Sequence, residues 1–502
     1  MKGDGSGLQE DRIVTRAEAL VMLSRAFGDL PEPVGDSARW AYPAANYTDL
    51  PDWAVQDLEH VFASGIVAGT SATTFSPDDP ITDAELDTFI RRVYAIEGTN
   101  LKDDFYATNN REWLRSTEMP AGYSVYGTTT ELTYQVEQQV SEIIQEIVKA
   151  TPKDGTSEAK IKALYETILD WDARNEAGVA PIQSYLDEID AAASLKELMA
   201  VHNKITVETG VSPLFPTDVG IDAKDSTQYL ADIGIAAPSL SKDYYTDEEH
   251  ADVCEALKTY FTTLFTLSGE DAERAAQDAA LVFDMEKTLA AAMMDQQDYL
   301  NVDKVYNVFT AKQLQAKLPN IDLAAFMESV GFHTDRIQVV DVGLLEAGAA
   351  YLDDSHLDTL KAAVKVGLLK GIGGTLSRDF SDAADQFDAA LTGGSDEIPD
   401  DQIASRLVQE QMSDYLGKAY VERHFSAEAK QDVTSMIHDI LKVYKERILA
   451  LDWMSDTTRQ RAVEKLEAIT VKVGYPNSWD TYLDEVTFKR PSEGGTYFDN
   501  YT

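Results

Sequence analysis

The sequence predicts a mainly α-helical protein in which a small helical module is followed by a large multi-helix domain. Long stretches place apolar residues at intervals of three and four, which is the spacing of an amphipathic helix. Short breaks rich in proline, glycine and aspartate separate these stretches, and few runs alternate as strands do. At 502 residues the chain is too long for one compact core, so about two to four domains are expected.

Two apolar stripes illustrate the helical spacing, and we expect both to face a core. They comprise Leu132, Val136, Val140, Ile143 and Ile147, and Val433, Ile437, Ile440, Tyr444 and Ile448. Ser455 followed by Asp456 predicts a helix start, and that helix should end before Gly474. Further helices are predicted over 157–175, 194–206, 247–268, 270–296, 310–317, 356–369 and 402–421. The best strand candidate is "RIQVVDVG", and 371–401 is predicted to be a loop with a short helix.

The charge balance excludes some classes of partner. With 87 acidic and 43 basic residues the formal net charge is −44, whereas nucleic acid and anionic membrane both require basic patches. No run approaches the ~20 apolar residues that span a bilayer. Cys254 is the only cysteine, which excludes an internal disulfide and a cysteine-built zinc site. Its apolar surroundings predict a buried, inert thiol.

The first hundred residues contain an internal repeat. "GSGLQEDRIVTRAEALVMLSRAFG" and "SATTFSPDDPITDAELDTFIRRVYA" share a turn, a polar loop and an apolar helix. Thr15 with Glu18, and Thr82 with Glu85, have the spacing of a capping box at the start of each helix. Between the copies, a helix should carry Val55, Leu58 and Val61 on one face.

This pattern resembles the S-layer homology module over residues 38–95. In that family several repeats bind secondary polymers of the bacterial cell wall, and the arginine of a TRAE motif contacts the polymer. The resemblance implies this role for Arg16, whereas the second copy has Asp83 at the equivalent position. Taken without the resemblance, Arg16 is better interpreted as a solvent-exposed residue of the first helical turn.

The N-terminal segment "MKGDGSGLQEDR" has no apolar stretch of the kind a signal peptide contains, which by itself indicates a cytoplasmic protein. The first repeat, however, begins inside its loop, without the helix that precedes the second. We therefore expect the chain to start within a module, with a signal peptide upstream of it. The expected location is extracellular and associated with the cell wall or S-layer.

Two later segments resemble the neprilysin-like M13 family of zinc metallopeptidases. "DDFYATNNREWLRSTEMPAGYSVYG" matches the family near its start, at Asp103, Asp104, Phe105, Tyr106, Trp113, Leu114, Pro120, Tyr126 and Gly127. Near the end, "YVERHFS", "LDWM" and "KVGYP" occur in the family's order and spacing. Val125 departs from the arginine that several animal members use to contact substrate, and Cys254 leaves no partners for their disulfides.

A zinc peptidase needs two histidines at i and i+4 of a helix, a glutamate base and a third ligand. None of the seven histidines begins an H-E-x-x-H motif; they are His60, His202, His250, His333, His356, His424 and His438. His250 lies among acidic residues but is better interpreted as a solvated helix end. No P-loop, dinucleotide-binding or G-x-S-x-G motif occurs either. No catalytic or metal-binding residue is therefore predicted.

Together the resemblances predict an S-layer homology module over 1–96, with an incomplete first repeat, and an M13 N-terminal helical domain over 97–502. They imply part of a secreted, wall-anchored zinc metalloendopeptidase that hydrolyses oligopeptides, stopping before the zinc-binding catalytic domain. We expect the chain to bind no zinc and to be inactive by itself, because it lacks the H-E-x-x-H motif. The resemblance implies that its helical domain limits the access of substrate. The alternative is a non-catalytic wall-binding helical protein that has lost the peptidase half. A helical solenoid lacks the sustained repeat it requires.

The aromatic residues Tyr497, Phe498 and Tyr501 follow a Gly-Gly turn near the C-terminus. In the family such a segment continues toward the catalytic domain. We therefore expect these three side chains to lack the surface against which they would pack.

Overall fold

The computed structural model describes residues 13–27, 44–71, 73–97, 105–120, 123, 125–392, 398–479 and 482–502. The predicted mainly helical fold is confirmed. The helices are α1 Arg16–Phe27, α2 Asp52–Ala63, α3 Asp83–Glu97, α4 Phe105–Asn109, α5 Arg111–Ser116, α6 Thr128–Lys149, α7 Ser157–Leu169, α8 Trp171–Ala177, α9 Gln183–Ala191, α10 Leu195–Thr209, α11 Lys242–Thr246, α12 Ala251–Leu267, α13 Ala272–Ala292, α14 Val302–Val305, α15 Ala311–Lys317, α16 Leu323–Ser329, α17 Val342–Ala349, α18 Leu357–Ile372, α19 Arg378–Thr392, α20 Asp400–Gln411, α21 Ser413–His424, α22 Ala427–Leu449, α23 Asp456–Glu467 and α24 Tyr497–Tyr501.

The chain divides into two compact units, Met1–Thr130 with Asp388–Glu397, and Glu131–Phe387 with Ile398–Thr502. The smaller unit has its own apolar core, to which α1, α2 and α3 contribute Leu20, Leu58 and Phe89. Tyr47, Phe62 and Phe75 form an aromatic cluster in this core, with ring centroids 4.8–6.0 Å apart. The domain boundary between residues 96 and 97 stays a prediction.

The two predicted capping boxes are confirmed. The backbone N–H of Thr15 donates to the Glu18 carboxylate at 3.1 Å, and the N–H of Glu18 lies 3.4 Å from the Thr15 hydroxyl. Thr82 and Glu85 make the same reciprocal pair, at 3.0 and 3.2 Å. Each box satisfies backbone donors that a helix start leaves unpaired, so each fixes where its helix begins.

The largest apolar cluster of the second unit is formed chiefly by α9, α10, α13, α16 and α18. Its fully buried members include Ile189, Leu198, Ile205, Phe326 and Leu368. A second cluster joins α6, α7, α20 and α21 through residues such as Ile143, Leu164, Val408 and Leu416. In both clusters, the apolar residues that recur at helical spacing pack against those of neighbouring helices.

Within the described residues the strands form one sheet, in the order β1–β2–β4–β3. They are β1 Thr217–Ile221, β2 Tyr229–Ile233, β3 Val308–Phe309 and β4 Ile337–Gln338. β1 and β2 are an antiparallel hairpin, β2 and β4 run parallel, and β3 and β4 run antiparallel. β4 confirms the strand predicted in "RIQVVDVG", but the hairpin was not predicted.

Several predictions about packing are wrong. Of the first stripe, Leu132 is 61% exposed, although Val140, Ile143 and Ile147 are buried. Val55 on α2 is 37% exposed. Residues 371–401 contain α19, a helix of 15 residues, rather than a loop with a short helix.

The second predicted stripe lies on α22, and it does not face a core. α22 is described in full and contains no buried residue. Its most exposed apolar members are Met436, Ile440 and Tyr444, at 59%, 52% and 57%. Periodicity shows that a helix has an apolar face but not what covers that face, which explains the error.

Two of the three C-terminal aromatic residues, Tyr497 and Phe498, are packed, contrary to expectation. Tyr497 is 2% exposed within the cluster of α6 and α7, and burial raises the pKa of its hydroxyl to about 12. Phe498 packs against the larger cluster. Tyr501 is 41% exposed. Thr496 caps the N-terminus of α24.

The contrast between the two stripes is testable by truncation. We expect Ile143→Ala to lower the free energy of unfolding by about 2–5 kcal/mol, because it leaves a cavity in a packed cluster. Ile440→Ala, the matched exposed change, should alter it by only about 0.5 kcal/mol. Urea unfolding followed by circular dichroism measures both. An equally large loss for Ile440→Ala would show that the α22 stripe is covered.

Candidate binding site around Arg16

Arg16 is the first residue of α1, and the backbone directs its side chain toward the second repeat. Thr15 forms an antiparallel bridge with Pro80. The backbone N–H of Arg16 donates to the carbonyl oxygen of Asp79 at 2.8 Å, and the N–H of Ile81 donates to Val14 at 3.1 Å. The start of α1 is thus tied to the loop that precedes α3.

The guanidinium of Arg16 is buried among polar and aromatic partners. Arg16 is 7% exposed, and it pairs with the carboxylate of Glu85. A second donor reaches the carbonyl oxygen of Ala68 at 3.0 Å. Its central carbon lies 5.1 Å from the ring centroid of Phe75 and 5.3 Å from that of Phe89, within the range of a cation–π contact. The interpretation of Arg16 as a solvent-exposed residue is wrong.

Glu85 has two functions at this site. Its carboxylate closes the capping box of α3 on Thr82 and also accepts from Arg16. Burial lowers the pKa of Arg16, while the charge of Glu85 opposes that effect. The capping spacing revealed the first function, but no sequence pattern revealed the ion pair between the repeats.

Arg92 is a second buried guanidinium of this unit, and sequence reasoning missed it. It is 6% exposed and donates to the carbonyl oxygens of Ile66 at 2.9 Å and Thr117 at 3.1 Å. Burial lowers its pKa, the charge of Glu118 opposes that shift, and the charge of Arg16 adds to it. The Nε atoms of Arg16 and Arg92 are buried without a hydrogen-bond partner among the described residues.

No group of three or more His, Cys, Asp or Glu side chains in the described part of the chain is placed to hold a metal ion. The residues there do not fit a catalytic zinc. His202 illustrates a structural histidine: it is fully buried, its Nε2 accepts from the backbone N–H of Leu214 at 3.2 Å, and burial lowers its pKa to about 4. His250 stacks on Tyr244 with ring centroids 4.4 Å apart.

The thiol of Cys254 is partly buried and donates to the carbonyl oxygen of Tyr244 at 3.2 Å. Burial raises its pKa, which disfavours the reactive thiolate. None of the described helices combines the length and apolar character needed to cross a membrane.

A small module of capped helices together with a larger helical body defines the class of this protein, and comparison with known families identifies both parts. Residues 101–476 match the model described as peptidase family M13, and residues 47–86 match the S-layer homology domain. The chain belongs to peptidase family M13 and carries an S-layer homology domain.

Individual relatives agree with this assignment. The chain is 26% identical over 390 residues to the neutral endopeptidase of Lactobacillus helveticus, covering 76% of this chain and 60% of that protein. It is 24% identical over 420 residues to endothelin-converting enzyme 1 of Mus musculus, covering 79% and 53%. The zinc metalloprotease ZMP1 of Mycobacterium tuberculosis in complex with inhibitor matches with 30% identity and a TM-score of 0.73, over 80% of this chain and 62% of that chain. The chain thus spans 60% of the length of the Lactobacillus helveticus relative.

Removal of the Arg16 side chain tests its structural role. We expect Arg16→Ala to destabilise the smaller unit by on the order of 2–3 kcal/mol, since it leaves a partly buried carboxylate and the Ala68 carbonyl without their donor. Arg25→Ala, also on α1, is the control, because Arg25 pairs with Asp57 through a side chain that is 67% exposed. Thermal unfolding of both variants measures the difference. Equal stability of the two variants would contradict the structural role of the Arg16 pair.

Proposed function

We propose that this chain provides the wall-anchoring and substrate-selecting parts of an extracellular, neprilysin-like zinc metalloendopeptidase that acts on oligopeptides. One observation carries the proposal: an S-layer homology match over 47–86 and an M13 match over 101–476 occur in the same chain. The first supports attachment to the bacterial surface, and the second supports a role in proteolysis.

Attachment is assigned to the smaller unit and to Arg16. The partner would be an acidic secondary polymer of the cell wall. Glu85, whose side chain is 35% exposed, already holds the Arg16 guanidinium, so an acidic group of the polymer would take the place of this carboxylate. The pairing of the Arg16 guanidinium with a carboxylate supports an anionic ligand of this kind.

Sedimentation with purified cell walls tests attachment. The full chain should sediment with the walls, and Arg16→Lys should sediment less, because lysine retains the charge but loses the planar set of donors. Arg25→Lys is the matched control and should bind as the wild type does. Absence of wild-type binding would overturn the anchoring proposal. Equal binding of both variants would overturn only the role of Arg16.

Substrate selection is assigned to the larger, helical unit. In the complete enzyme, this part would restrict which peptides reach the zinc, while zinc and its bound water would supply the hydrolytic chemistry. The 502 residues contain no H-E-x-x-H motif. We therefore assign no catalytic step to this chain.

Metal analysis and a cleavage assay test that assignment. The purified 502-residue chain should contain no stoichiometric zinc after dialysis and should leave an oligopeptide substrate intact, since the required ligand set is absent from its sequence. Elemental analysis and mass spectrometry of the peptide provide the measurements. One zinc per chain together with chelator-sensitive cleavage would overturn the assignment.

A further inference from the structure

Strand β1 lies at an edge of the sheet, and no strand of the described residues pairs with its outer side. Its residues Asp218, Val219, Gly220 and Ile221 are exposed. An exposed strand edge offers unpaired backbone groups to which an extended chain can add.

The register identifies which backbone groups face outward. Gly220 is opposite Leu230 and Asp218 is opposite Asp232. Bonds from the N–H of Asp222 to the carbonyl of Gln228, and from the N–H of Gly234 to the carbonyl of Pro216, show that the even-numbered residues of this segment pair with β2. The N–H and C=O groups of Thr217, Val219 and Ile221 therefore point away from the sheet.

One face of this edge is apolar. Val219 and Ile221 are 52% and 66% exposed, and Tyr229, directly across the hairpin from Ile221, is 74% exposed. These three side chains form a continuous surface because alternate residues of paired strands share a face.

The opposite face is acidic. Asp218 and Asp232 are directly opposite each other in the register, an arrangement in which like charges are destabilising. Desolvation raises the pKa of Asp232, a hydrogen bond donated by Gln338 at 3.1 Å opposes that shift, and the charge of Asp218 adds to it. A cationic group placed between the two carboxylates would relieve this repulsion.

Asp218 also occupies one of the backbone donors at the outer edge of β1. The N–H of Val219, one of the outward-facing donors, donates to the carboxylate of Asp218 at 2.8 Å. A basic side chain that pairs with Asp218 would release this donor for an incoming strand. Recognition of charge and opening of the edge would thus occur together.

We propose that the outer edge of β1 binds an extended peptide as an added antiparallel strand. Apolar side chains of the peptide lie over Val219, Ile221 and Tyr229, and a basic side chain pairs with Asp218 and Asp232. The choice of a peptide as ligand rests on the proteolytic function proposed above. A second copy of this chain is a poor occupant because pairing β1 with β1 would add two more carboxylates and join two chains of net charge −44.

The probe is a fluorescent, end-blocked peptide of about eight alternating valine and lysine residues, a length that spans an ordinary strand. Anisotropy measures its binding to the full chain at moderate salt. A peptide of the same composition with its valines and lysines in two separate blocks is the control for non-specific attraction to an acidic protein. We expect the alternating peptide to bind at least about tenfold more tightly.

Methylation of peptide nitrogens tests the pairing itself. In an antiparallel pair, residues that exchange hydrogen bonds lie on the same face, so the valine N–H groups should pair with β1 and the lysine N–H groups should face solvent. N-methylation of the valines should weaken binding about tenfold or more, whereas N-methylation of the lysines should have little effect. Equal effects, the reverse order, or equal binding of the alternating and block peptides would overturn the proposal.

Protein variants supply a second measurement. Val219→Pro removes an outward N–H at an edge position where proline is tolerated, and it should abolish binding, while the matched Val219→Thr should retain it. Asp218→Asn should weaken binding of the lysine peptide several-fold but not of a valine–serine peptide. Unchanged binding to Val219→Pro would overturn the proposal. These experiments measure binding without cleavage, so their failure leaves the wall and zinc assays unaffected.

Discussion

The guanidinium of Arg174 joins the two apolar clusters of the larger unit. Its three nitrogens donate to the carbonyl oxygens of Leu376 at 2.9 Å, Ile168 at 2.6 Å and Gly374 at 2.5 Å. Leu376 belongs to the largest apolar cluster, which α9, α10, α13, α16 and α18 chiefly form. Ile168 belongs to the second cluster, which joins α6, α7, α20 and α21. Ile168 lies in the last turn of α7, and Gly374 and Leu376 lie between α18 and α19. One side chain therefore satisfies carbonyl acceptors that the helix ends leave unpaired.

Aromatic rings pack against Arg174 and help to bury its guanidinium from solvent. Arg174 is 5% exposed, and its central carbon lies 3.7 Å from the ring centroid of Trp171 and 5.1 Å from that of Tyr497. Burial lowers its pKa to about 10, so it stays charged at neutral pH. Arg16 in the smaller unit follows the same plan, with backbone carbonyl and aromatic partners around a buried guanidinium. Arginine suits such a position because its planar guanidinium carries several N–H donors that point in different directions, whereas lysine has a single ammonium group.

The parts of the fold that were predictable are those set by local sequence. Thr82 and Glu85 form their capping box within one helical turn, so the spacing alone specifies the geometry. The α22 stripe failed because burial depends on what the rest of the chain places against a helix. The β1–β2 hairpin was missed because each strand is only five residues long and contains Asp or Gly, which are uncommon in strands.

The candidate site was predictable to a smaller extent. The resemblance singled out Arg16, but its partners come from the second repeat and from Ala68, more than 50 residues away. Arg92 belongs to no motif, and its burial depends on contacts with distant segments at Ile66 and Thr117. A lone arginine has no periodic pattern, so its function depends on the tertiary structure around it.

The acidic residues of the chain have a specific effect at the outer edge of β1. Spread over the surface, 87 acidic side chains favour solubility and oppose association between copies. At β1, Asp218 accepts a hydrogen bond from the outward-facing N–H of Val219 and repels Asp232 across the hairpin. Negative charge there therefore influences which ligand the edge can bind. An acidic residue on an exposed edge limits aggregation while leaving the edge accessible to a basic partner. The repulsion between the two carboxylates thus disfavours binding of a second copy of the chain and favours binding of a cationic extended ligand.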